Sequence, residues 1–519
     1  MPISRRDFLV AGASLCALTA AMPGLVRAQN VPAIARGGSI VASMDAEPVS
    51  LHPLFGNAST TDKFLFNQLF DALLAIAEDG TVKPALATDW AYGDDNTAIT
   101  LTLRNDVVFH DGEPFNAEAA KFNIDYAISG KVVAPHVSDF ADVESVDVLD
   151  EFTIRLNLKR PSGAILAALG TEPAMMMSPK AIREQGDDVQ RNPVGTGPFK
   201  FVRWVQGEYV EAQRFDRYWK IGDDGKALPY LDGIRMRFIS NNATKVIELQ
   251  GGNLDLADAI TSRDALQLQS DSRVKLLSPP GGIQSWLAFN NQAEPFNNIH
   301  VRRAVTAAID RKGLLQAVAL GMGNTPPVMF AETEWAYNAT PAPHVFDLDY
   351  ARAEIEKSGL GPNIKATMNV IQRDPDVQIS QMVQAMLAQV GITLDIQVLE
   401  RQAWVQAVLD KNYQIGIGRW SIPFVDPDQV VNSVLGRGAL NWANIDNEDL
   451  KQLSIEAAQA VDRAERKAIY NKIQTILIDQ ACYSFLMMRS VNYISNPKLY
   501  GITFEPNGLW LLSGAYLAP

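Results

Sequence analysis

Few residues of this chain are suited to metal binding or disulfide formation. Its 519 residues include two cysteines and five histidines, and no two histidines stand at the short spacing that zinc sites use. Cys16 lies near the N-terminus, in a segment that we predict to be cleaved, which leaves Cys482 alone. An internal disulfide is therefore not expected. The sequence predicts neither a bound metal nor a cofactor.

The motifs of common enzyme classes are also missing. There is no Gly-x-Ser-x-Gly, no phosphate-binding loop and no Gly-x-Gly-x-x-Gly after a predicted strand. Gly222–Lys226 is too short for a phosphate loop, and Gly416–Gly418 lacks the third glycine. Catalytic residues can be far apart in a sequence, so a secreted hydrolase with dispersed catalytic residues stays an alternative. The main prediction is that the protein is not an enzyme.

The chain also has no net positive charge and, after its N-terminal segment, no long apolar run. Its formal net charge is −13, which gives it no electrostatic reason to bind nucleic acid or an anionic membrane surface. After the N-terminal segment there is no run of eighteen apolar residues, so no stable membrane insertion is expected. With 47% hydrophobic and 20% charged residues the composition is globular, and the length predicts two or three domains.

The N-terminal residues have the pattern of an export signal. Ser4–Leu9 reads Ser-Arg-Arg-Asp-Phe-Leu, a twin-arginine pattern, and a weakly apolar stretch follows at Val10–Val26. We place signal-peptide cleavage after Ala28. Leu15 precedes Cys16 where a lipoprotein signal requires a small residue, so lipidation is not expected. A membrane anchor is the weaker alternative, because the stretch is short. These features predict an exported protein of the periplasm.

The apolar periodicity alternates between strands and helices. A helix is predicted at Thr61–Ile76 and a long one at Val301–Ala319. Three predicted strands alternate with two helices in the second half, and they are Lys365–Ile371, Thr393–Val398 and Ile415–Trp420. This order predicts a largely parallel sheet. Because ligands of such sheets bind beyond the carboxyl ends of the strands, the loops after Ile371 and Trp420 are candidate ligand loops.

Several motifs resemble one known family. The strongest is Leu86–Trp90 followed by Leu103–Glu118, which contains Phe-His-Asp-Gly-Glu-Pro-Phe. Asn192–Phe199, Tyr218-Trp219 and Val301–Arg311 are similar to further family motifs. Together they resemble the peptide/nickel-binding family (family 5) of extracellular solute-binding proteins of ABC transporters. Most of these residues are predicted to form scaffold turns, and a turn-stabilising role is favoured over a ligand role for His110.

The resemblance implies an α/β, two-lobed periplasmic binding protein fold with three domains. Domain I would comprise 29–70, 186–277 and 486–519. Domain II would be an insertion at 71–185, and domain III would run over 278–485. The implied function is capture of a small solute between domains I and III by hinge closure, followed by delivery to an inner-membrane ABC permease. A monomer is expected, and a chaperone or sensory role stays open.

Two positions suggest what the ligand is. Dipeptide-binding family members place an arginine after a strand, where it pairs with the ligand carboxylate, and Arg373 resembles it. The alternative is that Arg373 pairs with Asp374 or Asp376 on the loop. Peptide binders also carry Trp-x-x-Asp, whose aspartate holds the ligand ammonium, but Pro423 stands at that position. Asp426 is the possible substitute, although it also suits the start of a turn.

The absence of the aspartate that would hold the ligand ammonium favours a modified peptide, an opine-like conjugate or a sugar derivative over an ordinary dipeptide or oligopeptide. The other candidate ligand residues lie in or near the predicted loops or offer aromatic surfaces for stacking. They are Asn57, Ser59, Trp286, Arg401, Trp404, Arg419, Trp420, Ser421 and Trp510. For each tryptophan a core or interface role is favoured over a ligand role, except for Trp420, which begins the predicted ligand loop.

Overall fold

The structure is a computed structural model that describes residues 32–55, 60–77, 79–130, 135–279, 281–340, 345–422, 425–435 and 441–519. The predicted signal segment, Asn57, Ser59 and Pro423 lie outside the described residues. Within these ranges, no helix is both long and apolar enough to cross a membrane.

Strands of the described residues are short and number from the N-terminus as follows: β1 Ser39–Met44, β2 Leu74–Ile76, β3 Val82–Pro84, β4 Ala87–Tyr92, β5 Ala98–Leu103, β6 Val143–Asp150, β7 Thr153–Leu158, β8 Phe199–Val205, β9 Tyr209–Arg214, β10 Gly233–Phe238, β11 Leu256–Ile260, β12 Lys275–Leu277, β13 Gly282–Phe289, β14 Gly323–Asn324, β15 Ile364–Ile371, β16 Ile392–Leu399, β17 Ile415–Ile422, β18 Tyr483–Arg489, β19 Asn492–Ser495, β20 Leu499–Tyr500, β21 Thr503–Phe504, β22 Trp510–Leu511 and β23 Tyr516–Leu517.

Helices cover the sheets and number in the same way: α1 Thr60–Leu69, α2 Ala117–Ile128, α3 Ile165–Ala168, α4 Pro179–Gln185, α5 Asn242–Gln250, α6 Ser262–Leu268, α7 Ile299–Ala308, α8 Arg311–Ala319, α9 Leu348–Ser358, α10 Asp376–Ala388, α11 Arg401–Leu409, α12 Pro427–Leu435, α13 Glu448–Gln459 and α14 Arg463–Asp479. Short 3₁₀ helices lie at Pro135–Phe140, Glu172–Ala174 and Gly186–Gln190.

Three sheets organise the chain. A seven-stranded sheet has the order β12-β19-β11-β1-β10-β9-β8, a six-stranded sheet the order β14-β18-β13-β17-β15-β16, and a four-stranded antiparallel sheet the order β4-β5-β7-β6. Each sheet has its own buried apolar cluster. The mixed α/β architecture expected from the sequence is confirmed.

The six-stranded sheet contains the predicted β-α-β-α-β unit. β15 pairs in parallel with β16 on one side and with β17 on the other, as predicted. β13 lies between β17 and β18 and is antiparallel to both. The carboxyl ends of β15, β17 and β18 therefore lie at the same edge of the sheet.

Two chain segments connect the seven-stranded and six-stranded sheets, side by side. One leads from the end of β12 to the start of β13, and the other leads from β18 to β19 across residues 490–491. β12 pairs with β19, and β13 pairs with β18. The predicted domain bound between residues 485 and 486 falls inside β18, because the strand stays paired in the six-stranded sheet to Arg489.

Two predicted helices are shorter than expected. The helix predicted at Thr61–Ile76 ends at Leu69, and the residues that follow include β2. The helix predicted at Val301–Ala319 is divided into α7 and α8, because the Asp310 side chain accepts a hydrogen bond from the Gly313 amide and begins a new helix there. Apolar periodicity continues across both breaks, so it did not reveal them.

The end of α1 explains why the Asn192–Phe199 motif contains two glycines. The Gly197 amide donates to the Leu69 carbonyl at 3.0 Å. A Cβ on Gly195 would lie 2.1 Å from that carbonyl oxygen, and a Cβ on Gly197 would lie 2.5 Å from the Leu69 carbonyl carbon. Only glycine permits this close approach of two backbone segments.

The other family motifs meet at the same junction. His110 Nε2 bonds to the Gly197 carbonyl at 3.0 Å, and its Nδ1 accepts from the Gly195 amide. Burial lowers the pKa of His110 to about 4, so the ring is neutral. The buried Asp71 accepts hydrogen bonds from Tyr218 Oη and Trp219 Nε1. These hydrogen bonds join the family motifs to one another and to the residues after α1. They agree with the turn-stabilising role expected for His110.

Candidate functional site

Three arginines and one aspartate meet at the carboxyl edge of the six-stranded sheet. Arg373 follows β15, Arg419 lies near the end of β17, and Arg489 is the last residue of β18. Asp376 is the first residue of α10 and is 1% exposed. We call these four residues the arginine cluster. Its position matches the place where ligands of open α/β sheets bind.

Asp376 is the carboxylate around which the cluster is built. Its Oδ2 accepts a hydrogen bond from Arg373 Nε, so the pairing that the sequence left open is with Asp376. Arg419 Nη1 lies 3.9 Å from Asp376 Oδ1 and donates to the Asp374 carbonyl at 3.3 Å. Asp376 Oδ1 and Arg489 Nε are buried without a hydrogen-bond partner among the described residues. The cluster therefore has unused hydrogen-bonding capacity.

Burial acts on two of the guanidinium groups. It lowers the pKa of Arg489 to about 10, and the nearby Arg419 adds to that effect. Burial likewise lowers the pKa of Arg419, with further repulsion from Arg373. Arg401, the exposed first residue of α11, adds repulsion on Arg419. A guanidinium with a pKa of about 10 is still positively charged at neutral pH, so the site favours an anion.

The strand register places Arg419 and Trp420 on opposite faces of the sheet. Ser421 and Arg489 both pair with Ile283, so their side chains lie on one face, which Arg419 shares by alternation. Trp420 pairs with Gln284 on the other face, where its Nε1 donates to Gln284 Oε1 at 2.8 Å. Of the residues predicted on β17, Arg419 and Ser421 therefore share a face with Arg489.

The predicted tryptophans are mostly core residues. Trp286 and Trp404 are 2% and 4% exposed, and both belong to an aromatic stack with Trp442. Trp420 packs against Trp286 with the ring centres 4.8 Å apart and the ring planes tilted by 40°, and it remains partly exposed. Trp510 is fully buried against Phe64 in the core of the seven-stranded sheet. Trp420 is therefore the predicted tryptophan that reaches the surface.

Asp426 is engaged by an arginine that sequence reasoning did not consider. Arg466 of α14 donates from Nη2 to Asp426 Oδ1 at 2.6 Å and from Nη1 to Oδ2 at 2.8 Å. The two side chains are 5% and 7% exposed. Both carboxylate oxygens thus have a buried partner within the protein, which leaves Asp426 poorly placed to hold a ligand ammonium.

Sequence reasoning missed Arg489 and gave Asp376 only as a possible partner of Arg373. Arg489 follows an apolar strand nearly seventy residues after Trp420, and nothing in the local pattern indicates that this strand lies beside β13. A lone charged residue at the end of a buried strand is the signal that could have drawn attention to it.

A second polar site is a cavity beside Val425, which lies beyond β17. This cavity of about 160 Å³ is lined by Lys63, Glu172, Glu505 and Val425, among others. Lys63 pairs with Glu172 at 2.5 Å. Burial, together with the charge of Glu172, raises the pKa of Glu505 to about 7.

Protonation of Glu505 is expected to make stability depend on pH. Since the folded-state pKa lies above the ordinary value of 4.5, the folded protein binds the proton more tightly, and stability falls as the pH rises from about 4.5 to 7. The loss is roughly 2 kcal/mol after allowance for solvent screening. Melting temperatures across pH 4–8 should decline less for Glu505→Gln than for the parent. Exposed Glu208→Gln is the control, and an unchanged slope in the Glu505 variant would contradict this prediction.

Comparison with known proteins reveals full-length similarity. The chain is 26% identical over 528 residues to the glutathione-binding protein GsiB of Pectobacterium atrosepticum, covering 100% of this chain and 99% of that protein. The periplasmic binding protein DppA of Helicobacter pylori, solved with the peptide STSA, has a TM-score of 0.79 at 25% identity, covering 93% of this chain and 99% of DppA.

A further solved structure shows the same fold at lower identity. The protein AgaA of A. tumefacien R10, solved with agropinic acid, has a TM-score of 0.77 at 23% identity and covers 92% of this chain and 99% of its own. Residues 81–442 match the family described as bacterial extracellular solute-binding proteins, family 5 Middle. This match spans more than half of the chain and includes the motifs from which the resemblance was inferred. The chain therefore belongs to the family 5 bacterial extracellular solute-binding proteins.

Proposed function

We propose that this protein captures a small peptide-like or opine-like solute at the arginine cluster and delivers it to an ABC permease in the inner membrane. The observation that carries the proposal is the group of Arg373, Arg419 and Arg489 around Asp376, with polar atoms left unpaired among the described residues. Such a group at the carboxyl edge of a sheet is suited to bind a solute rather than to stabilise the fold.

The ligands of relatives support this class of solute. GsiB is named for glutathione, DppA was solved with a peptide, and AgaA was solved with agropinic acid. All three ligand types carry carboxylates, which a guanidinium binds through two parallel hydrogen bonds. A neutral sugar has no carboxylate to pair with these guanidinium groups, so it is a weaker candidate.

The proposed mechanism is closure of two lobes around the solute. Domains I and II would form one lobe and domain III the other, with the hinge at the ends of β12 and β18, because the paired strands β12 and β19 of one sheet continue into the paired strands β13 and β18 of the other. The ligand would stabilise a closed form that the free protein also visits, and the permease would recognise that form.

Export is the remaining part of the proposal. The twin-arginine pattern at Ser4–Leu9 would direct the chain to the periplasm, with cleavage near Ala28. We propose that the protein acts as a monomer and without catalysis, since the role requires only reversible binding.

Ligand-dependent closure tests the proposed function. The chain is unfolded and refolded to remove bound solute, and its radius of gyration is measured by small-angle X-ray scattering with and without each member of a solute panel. The panel holds dipeptides, glutathione, opines, oligosaccharides and metal chelates. At least one solute is expected to reduce the radius of gyration and to raise the melting temperature. If no solute does either, the proposal is wrong.

A further inference from the structure

We infer that the solute carries two separate negative charges, in the form of carboxylates, and that Arg373, Arg419 and Arg489 hold them. This inference rests on the proposed function and narrows it to a class of ligand. It also adds Arg489, which no sequence motif indicates, as a residue that determines specificity.

The first argument is the balance of charge. The arginine cluster contains three guanidinium groups, and Asp376 is the carboxylate that acts on both Arg419 and Arg489. Asp374 is exposed and contributes its backbone carbonyl rather than its carboxylate to Arg419. Two of the three positive charges therefore have no counter-charge within the arginine cluster. The positive charge of Arg401, which acts on Arg419, adds to this excess.

The second argument is the cost of leaving such charges without partners. Arg489 Nε and Asp376 Oδ1 are buried and have no hydrogen-bond partner among the described residues. A buried guanidinium N–H without a hydrogen-bond partner is unfavourable, whereas a charge-assisted bond to a carboxylate is among the strongest hydrogen bonds in proteins. A bound carboxylate would reduce the repulsion among the arginines and would accept the hydrogen bond that Arg489 Nε lacks.

The third argument is the position of the three guanidinium groups. They come from β15, β17 and β18, with β13 between the last two, and neighbouring strands are spaced by about 4.8 Å. Side chains from three strands can address two acidic groups at different points of an extended molecule. Ser421 and Ser285 lie on the same sheet face as Arg419, and the buried Ser285 hydroxyl also lacks a partner in the described part of the chain. This arrangement favours two carboxylates over one.

A matched set of ligands tests the number of charges. Binding of refolded protein to glutathione, glutathione monoethyl ester, glutathione diethyl ester, Ala-Ala-amide, which has no carboxylate, and glycerol 3-phosphate is measured by calorimetry. Glutathione is expected to bind, the monoester at least tenfold more weakly, and the diester and the amide not at all. Affinity should also fall with added salt, because charged contacts dominate.

Variants test the role of Arg489. Arg489→Gln is expected to weaken glutathione binding at least tenfold without lowering the melting temperature, and Arg489→Lys is expected to recover part of the loss. Arg419→Gln should act in the same direction. Arg273→Gln, an exposed arginine paired with Asp271 far from the cluster, is the control and should bind as the parent does.

The outcomes separate this inference from the proposed function. A solute with one carboxylate or none as the tightest ligand of the panel, with no effect of Arg489→Gln, would overturn the inference and leave solute capture intact. Tighter binding of glycerol 3-phosphate than of glutathione would overturn the assignment to carboxylates. Failure of every solute to cause closure would instead overturn the proposed function.

Discussion

Replacing Asp426 with alanine is expected to destabilise the protein by about 3–5 kcal/mol, because it leaves the guanidinium of Arg466 buried without its counter-charge. In the intact protein the two side chains form a bidentate pair, and Tyr470 Oη also contacts Arg466 Nη2 at 2.9 Å. A loss of this size should lower the melting temperature of the affected domain by roughly 10 °C. Thermal unfolding followed by calorimetry measures it.

An exposed ion pair provides the control for this prediction. Asp271→Ala removes the partner of Arg273, whose side chain is 62% exposed, and such pairs contribute less than about 1 kcal/mol. Replacing both buried partners, as Asp426→Leu with Arg466→Met, should recover most of the lost stability, since no charge remains buried alone. Equal melting temperatures of Asp426→Ala and Asp271→Ala would contradict the structural role of Asp426. Asp426 would then again be a candidate for binding the ligand ammonium.

Gly163→Ala is expected to weaken solute binding at least tenfold. The Gly163 amide donates to the Ala458 carbonyl at 2.8 Å, and Arg466 Nη1 donates to the Gly163 carbonyl at 3.1 Å, so this glycine contacts both α13 and α14. A Cβ at this position would lie 1.9 Å from the Ala460 carbonyl oxygen. The two segments must then separate, which weakens both hydrogen bonds. A tenfold weaker affinity corresponds to a loss of about 1.4 kcal/mol of binding free energy.

Calorimetric binding and melting temperature together test the Gly163 prediction. If the contact belongs to the closed form, the ligand-free melting temperature should stay unchanged while affinity falls. Gly93→Ala is the matched control within domain II, because the added Cβ would meet its nearest neighbour at 3.6 Å, an ordinary contact. Unchanged affinity in Gly163→Ala would show that closure does not require this contact.

Much of the fold could be predicted because its signals are local. The β-α-β-α-β order indicated the parallel part of the six-stranded sheet, and Arg373 was correctly placed after the strand that is β15. The glycines of the Asn192–Phe199 motif indicated a turn. These features depend on backbone conformation and side-chain periodicity within a few residues, which the sequence contains directly.

Other features could not be predicted because they depend on which distant segments become neighbours. Asp426 is engaged by Arg466, forty residues further along the chain, and Trp286 and Trp404 are buried together with Trp442. A loop carboxylate and a solvent-facing tryptophan look the same in sequence as buried ones. Burial and pairing are properties of the packed chain, so they became visible only in three dimensions.

The sequence by itself determined the family and the α/β class, and it predicted the edge of the sheet at which we propose that the solute binds. Only the tertiary structure decided the composition of the arginine cluster, because the chain returns through β18 beside β13 and brings Arg489 within electrostatic range of Arg373 and Arg419. The order of strands in a sheet is set by long-range pairing and by the burial of apolar faces, and no local pattern specifies it.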